Sequence, residues 1–202
     1  VPDQTGHSGD ITVEVMGAGN RILLDGGVDD ESYAQIGHGG TNNGGNEGHT
    51  GSIVATTEDG DIRLDGGPGG GFQSPAIIGH GGTNADGSHS GSVTVEAGSG
   101  AAATQGAVIL NGSGSTDSFN QIGHGGSGAE GDMGLAADDI LVTAFGDITL
   151  SSGGGGSYAL IGMGGQNSTG NHSVNDITVD AGGNVSLNGG SAFAMIGLGG
   201  QN

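Results

Sequence analysis

The sequence predicts an all-β fold, a right-handed parallel β-solenoid, and three observations carry that prediction. The segment Ile36-Gly-His-Gly-Gly40 returns as Ile-Gly-x-Gly-Gly at Ile78, Ile122, Ile161 and Ile196, at spacings of 42, 44, 39 and 35 residues. Each copy is preceded by two short runs in which apolar and polar residues alternate strictly. Glycine makes up 51 of the 202 residues and gathers in the turns between those runs. Self-similarity at a period near forty marks a chain of repeated supersecondary units.

Every unit reads in the same order. A first strand comes from Asp10-Ile-Thr-Val-Glu-Val15, Ser52-Ile-Val-Ala-Thr56, Ser92-Val-Thr-Val-Glu96, Asp139-Ile-Leu-Val-Thr143 and Asp176-Ile-Thr-Val-Asp180. A second carries the apolar pairs Ile22/Leu24, Ile62/Leu64, Val108/Leu110, Ile148/Leu150 and Val185/Leu187. A third short strand ends in the Ile-Gly-x-Gly-Gly signature. Period-two alternation with β-branched residues indicates half-buried strands. Glycine every few positions would cost a helix about 1 kcal/mol each. Such a three-strand coil cannot bury its apolar face alone, whereas stacked coils bury it together. Strands joined this way in parallel favour the right hand. The expected layout is a lead-in over 1–9 and five units, 10–51, 52–91, 92–138, 139–175 and 176–202, each one coil. The expected interior holds Ile11, Val13, Ile22, Leu24, Ala34, Ile36 and their equivalents.

The units also test their own register. The outward column of the first strand would run Glu14, Thr56, Glu96, Thr143, Asp180, beside Thr12, Val54, Thr94, Leu141, Thr178. Like charges directly opposed destabilise a sheet, and here acids alternate with threonines. That pattern favours one coil per unit over two coils of about twenty residues each.

Charge excludes several partners. Arg21 and Arg63 are the only Lys or Arg residues against 22 acids, a formal net charge of −20. Polyphosphate is repelled, which argues against nucleic acid and anionic membranes. The lack of cysteine means that no disulfide or thiol chemistry operates. No apolar run is long enough for a membrane helix. The glycines do not recur at every third position, so collagen is excluded. The first residue is Val1 and the last residues repeat Gly164-Gly-Gln-Asn167 as Gly199-Gly-Gln-Asn202. The expectation is a piece of a longer array or a subunit that stacks on itself.

Four sets of residues are candidate sites. His38, His80 and His124 occupy the x of the signature, where a metal column is conceivable; Met163 and Leu198 hold the same position, which favours packing. His7, His49 and His89 precede the first strand, with His172 displaced by one residue, and are read as turn residues bonded to backbone. Tyr33, Phe119, Tyr158 and Phe193, interrupted by Pro75, form a candidate ladder. Stacked rings stabilise a solenoid; exposed, they would be a glycan-stacking platform. Asp25 and Asp65 end the second strand and are the candidate calcium ligands; Asn111, Ser151 and Asn188 follow in that column as an expected amide ladder. Segments such as Gly66–Gly70 lack the Asp of a calcium nonapeptide repeat. Arg21 and Arg63 are read as surface ion-pair partners of neighbouring acids. No unit breaks the repeat to converge reactive groups, so no catalytic residue and no cofactor are expected. Threonines interrupted by Val54, Leu141 and acids do not suit an ice-binding array.

Gly9-Asp-Ile-Thr-Val13 and Asp176-Ile-Thr-Val-Asp-Ala-Gly-Gly-Asn-Val-Ser-Leu-Asn-Gly-Gly190 resemble repeats of filamentous-haemagglutinin-type adhesins, large proteins secreted by a two-partner route. The resemblance covers nearly the whole chain, although a unit near forty residues is longer than that family's usual repeat. It implies a secreted bacterial surface fibre used in adhesion, aggregation or matrix building, self-associating and meeting cell-surface glycans or other cells. The alternatives are a carbohydrate- or calcium-binding module and, third, a β-helix polysaccharide-degrading enzyme.

Overall fold

The computed structural model describes residues 6–44, 48–67 and 72–200. Residues 1–5 of the lead-in, 201–202 of the last unit and Pro68–Gly70 of the Gly66–Gly70 segment lie outside the described residues. The first coil contains β1 (Ile11–Ala18), β2 (Ile22–Asp25) and β3 (Ala34–Ile36). The second contains β4 (Ile53–Asp59), β5 (Ile62–Asp65) and β6 (Ala76–Ile78), and the third β7 (Val93–Ala97), β8 (Val108–Asn111) and β9 (Asn120–Ile122). The fourth contains β10 (Asp139–Ala144), β11 (Ile148–Ser151) and β12 (Ala159–Ile161), and the fifth β13 (Asp176–Ala181), β14 (Val185–Asn188) and β15 (Ala194–Ile196).

Strands pair only with their counterparts in adjoining coils. The first strands form a five-stranded sheet in the order β1-β4-β7-β10-β13; the second and third strands build two more sheets of five in the same way. All pairings are parallel. Since β1 pairs with β4 and never with β2, one unit is one coil, and the twenty-residue alternative is excluded. The expected register holds at every junction: Glu14 faces Thr56, Thr56 faces Glu96, Glu96 faces Thr143, and Thr143 faces Asp180.

Alternation decides which side each residue takes. Ile53, Ala55, Val93, Val95, Ile62, Leu64, Val108 and Leu110 point inward and are buried. Ile22 and Leu24 join the same core, with Ile11, Val13, Ala34 and Ile36 packed partly buried against it. Each fully buried aliphatic side chain contributes about 1.5–3 kcal/mol. At the two edges of the second sheet burial differs: Ile22 and Leu24 are buried, whereas Val185 and Leu187 are exposed. The third sheet differs from the others in being covered on both faces. Its outer side carries a second apolar cluster of Ile77, Phe119, Tyr158 and Leu160. That is why β6, β9 and β12 are buried at every position.

Close coil stacking explains the first glycine of the signature. Gly37, Gly79, Gly123 and Gly162 lie one above another, and a Cβ on any of them would run into the carbonyl oxygen of the corresponding glycine in the next coil. Their neighbour in the third strand shows one conflict with local rules. Asn120 stacks between Ala76 and Ala159 in the apolar interior, and both its Nδ2 and its Oδ1 are buried without a partner. An unsatisfied buried polar group costs roughly 1–3 kcal/mol. Asn120→Ala restores the small residue of its column and is expected to raise unfolding stability by about 1 kcal/mol. Urea titration measures this, and a loss of stability would show that the amide is satisfied in solution.

Candidate functional site

The structure gathers the histidines into two adjoining columns between the first and third strands. His38, His80 and His124 stack ring on ring, with centroids 4.9 and 4.8 Å apart and planes within 2° and 8° of parallel. The rings of His80 and His124 also span two hydrogen bonds each, and that of His38 makes one. The backbone N–H of His38 donates to Nδ1 of His80 at 3.0 Å, and that of His80 donates to Nδ1 of His124 at 3.0 Å. Met163 continues the column by offering its sulfur to the His124 N–H at 3.3 Å. An Nδ1 that accepts leaves the proton on Nε2. The Nε2 atoms of His38, His80 and His124 lie 3.1, 2.8 and 2.7 Å from the carbonyl oxygens of Gly9, Gly51 and Gly91. For His80 and His124 the geometry therefore selects the neutral Nε2–H tautomer.

The second column repeats the device. The His7 N–H donates to Nδ1 of His49 at 3.0 Å and the His49 N–H to Nδ1 of His89 at 3.2 Å, with rings 5.1 Å apart at both steps. Met133 and His172 follow in the same column. The middle glycine of each signature makes room for these rings. A Cβ on Gly39 would lie 3.1 Å from Cδ2 of His49, and one on Gly81 would lie 3.0 Å from Cδ2 of His89. Those two glycines also have φ of +111° and +97°, which side chains rarely adopt. The Ile-Gly-x-Gly-Gly signature is thus one column of rings flanked by the two glycines that admit the next coil and the other column.

A third set of residues sets the outer nitrogen of the second column. Asn43, Ala85, Ala129 and Ser168 occupy equivalent positions, since the carbonyls of Asn43, Ala85 and Ala129 each accept from the following coil. The Asn43 amide is 2.7 Å from Nε2 of His49, and the Ser168 hydroxyl is 3.3 Å from Nε2 of His172. With His49 Nδ1 accepting, the amide must present its oxygen there. Ala85 offers nothing, and Nε2 of His89 is buried without a partner. The fully apolar pair Ala129 and Met133 needs nothing. Ser168 and His172 have the residue types of a nucleophile and its base. However, the Ser168 hydroxyl donates to the Gly165 carbonyl at 2.9 Å, and Nδ1 of His172 has no partner. A carboxylate orienting the imidazole, which such a pair requires, does not meet Nδ1.

Burial governs how these rings titrate. It is the first cause pushing His80 and His89 down to about 3 and His124 down to about 4; for His80 and His89 the neighbouring rings add to it. His49 and His172 are lowered as well, again by burial first. Among the described residues no group of three or more His, Asp or Glu side chains is arranged to hold a metal ion. In the first column the reason is direct: the Nδ1 lone pairs of His80 and His124 are taken by backbone N–H groups, and their Nε2 atoms face carbonyls. The packing interpretation of this column needs sharpening, because the rings also carry hydrogen bonds between coils.

The aromatic and aspartate columns differ in outcome. The aromatic column is in register, with Phe119, Tyr158 and Phe193 stacked at 4.5 and 4.6 Å. Phe119 and Tyr158 are 0% exposed inside the second apolar cluster, so neither can offer a face to a sugar. The Tyr158 hydroxyl donates to Gln121 at 3.2 Å, and burial raises its pKa well above the ordinary phenol value. Tyr33, at the far end beyond Pro75, is 45% exposed; Phe193 is partly buried. Asp25 and Asp65 do face each other in the second sheet. Asp65, however, is held by Arg63 at 2.6 Å through Oδ2 and by the Asn111 amide at 3.2 Å through Oδ1. Both Asp65 oxygens therefore already have partners, one of them a cation. Arg63 pairs within its own strand, two residues away, and its pKa is raised by the bond to Asp65 first. The amide ladder of that column is broken, although Asn188 donates to Ser151 at 3.3 Å. A single amide–amide bond occurs elsewhere, with Asn84 donating to Asn42 at 3.0 Å, both in left-handed conformation, and Gly128 takes the next place in that turn column. The turn triplets Gly40-Thr-Asn42 and Gly82-Thr-Asn84 were the available signal.

No family model, curated protein or solved structure matches this chain.

Two substitutions test the ladders. His80→Ala strips an acceptor from the His38 N–H, a donor from the Gly51 carbonyl and a ring from the stack. It is expected to cost about 3–4 kcal/mol by chemical denaturation. Ala85→Ser repeats the Ser168–His172 arrangement and supplies an acceptor to His89 Nε2–H. It is expected to gain about 1 kcal/mol, and no gain would mean that His89 is already satisfied.

Proposed function

We propose that this chain is a structural segment of a secreted, adhesive fibre at a bacterial surface, working in adhesion, aggregation or matrix building and carrying no catalysis. One observation supports this above the others. Every junction from the first coil to the fifth uses the same three sheets in the same register, so the array is a rod that extends by repetition. Its ordered side-chain networks point into coil-to-coil contacts. A binding module or enzyme would more often turn them towards a ligand. The resemblance of Gly9–Val13 and Asp176–Gly190 to filamentous-haemagglutinin-type repeats supports the same reading and the secreted location. The outer surface, with 22 acids and two arginines in the chain, keeps such rods apart from polyanions. Self-association into fibres, with glycans or other cells as the outer partners, belongs to this proposal.

Purified protein, concentrated and viewed by negative-stain electron microscopy, is expected to form unbranched fibres. Beads coated with it are expected to bind cells or aggregate them. Isolated particles that bind nothing, or turnover of a polysaccharide, would sink the proposal.

A further inference from the structure

The two imidazole ladders are confined to the first three coils and end on sulfur. His7 and His38 lie in the first coil's layer, His49 and His80 in the second, and His89 and His124 in the third. Beyond them stand Met133 and Met163, and His172 is the only further histidine in the chain. The columns adjoin, with His38 centred 6.1 Å from His7 and 6.4 Å from His49. Every described Nδ1 contact in them accepts a backbone N–H from the preceding coil. Protonating such a nitrogen turns acceptor into donor, sets N–H against N–H and breaks a bond between coils. A charge on one ring also opposes charge on its neighbours about 5 Å away. The ladders therefore take up protons by opening.

We propose that the double imidazole ladder is an acid-sensitive fastening of β1–β9, whose coils part when the medium is acidified through the histidine range while β10–β15 keep their pairing. The proposal does not depend on the fibre reading. The groups acting on these rings are other rings: His7 and His38 on His49; His38, His49 and His124 on His80; His49, His80 and His124 on His89. Carboxylates near them along the chain are engaged elsewhere or sit on turns. Asp10 accepts from the Ser52 N–H, Asp138 accepts from the Gly91 and Leu135 N–H groups, and Asp86 and Glu130 are stacked on each other in successive coils. Asp132 acts on His172 alone of the lowered histidines. The unfolded chain, with histidines near 6.5, binds more protons than the folded one from there down to the buried values of about 3 to 4. Stability is thus present above that range and lost as pH falls through it. Asp59 also has a lowered pKa, through backbone hydrogen bonds from Thr104 first. Its loss begins only below the ordinary carboxylate value, so it falls in a lower window.

Met163 shows that a thioether can accept the ladder N–H without titrating, which defines the test. Urea unfolding of the whole chain is followed between pH 6 and 4.5, together with a His80→Met/His124→Met variant. Each buried ring multiplies the unfolding constant by up to about tenfold per pH unit. His80, His89 and His124 together contribute up to about a thousandfold per unit beside what His49 and His172 add, and the variant loses up to about a hundredfold per unit of it. The slope is read, so a lower baseline stability of the variant does not affect the outcome. Met163→His, which adds a ring, is expected to steepen the slope and serves if the double variant fails to fold. Hydrogen exchange, corrected for intrinsic rates, is expected to lose protection in β1–β9 before β10–β15. Equal slopes in all variants, or protection lost first or together in β10–β15, would overturn the proposal.

Discussion

In-register parallel pairing is the constraint on which everything else in this molecule rests. Each residue looks along the rod at its own counterpart, one repeat on, so every column has to tolerate being stacked on itself. Aliphatic residues do so by packing, and they fill the interior. Carboxylates do so at a cost: the column of Glu14, Glu96 and Asp180 separates its acids with Thr56 and Thr143, whereas Asp25 over Asp65, Asp86 over Glu130 and Asp139 over Asp176 are stacked directly. Aromatic rings stack face to face, as Phe119, Tyr158 and Phe193 do. Asparagine in a left-handed turn can bond to its copy, as Asn84 does to Asn42.

Neutral imidazole suits this constraint because one ring holds a flat face, an acceptor and a donor. The face stacks, the acceptor takes the N–H of the coil before, and the donor reaches the adjoining column. The first column is tied to the second by that donor, since Gly9, Gly51 and Gly91 lie two residues after His7, His49 and His89. Neutrality is the condition, and burial enforces it. The same arrangement that rigidifies the first three coils at neutral pH makes them the part that protons attack. Methionine at positions 133 and 163 keeps the column filled without that liability.

The outer column of Asn43, Ala85, Ala129 and Ser168 shows how closely neighbouring columns are matched. Polar residues stand beside His49 and His172, and alanine stands beside Met133. Ala85 beside His89 is the exception, and it leaves one donor unpaired. Asn120 is another exception, in the lumen itself. Thr41, Thr83, Gln166 and His172 also hold a buried polar atom without a partner, and an array can carry such local conflicts because each coil's stability adds to its neighbours'. The rod also uses its acids differently along its length. Most stay on the surface, whereas Asp65 closes on Arg63 and Asp138 on two backbone N–H groups.

Strand positions, the forty-residue coil, the inward residues and the alternation of outward acids were legible in the sequence alone. All four follow from periodicity, and periodicity is a property of the chain. The presence of the columns was equally legible, since residues at matching places in each repeat must stack once the register is known. What each column does was decided only by tertiary structure. His38 and His7 are 31 residues apart, and nothing in either motif says that their rings adjoin or that glycine carbonyls join them. Burial of Phe119 and Tyr158 depended on their packing with Ile77 and Leu160 on the outer side of the third sheet. The pairing of Asp65 with Arg63 depended on which way one long side chain turns. Repetition determines what lies above and below a residue; only the folded coil determines what lies beside it.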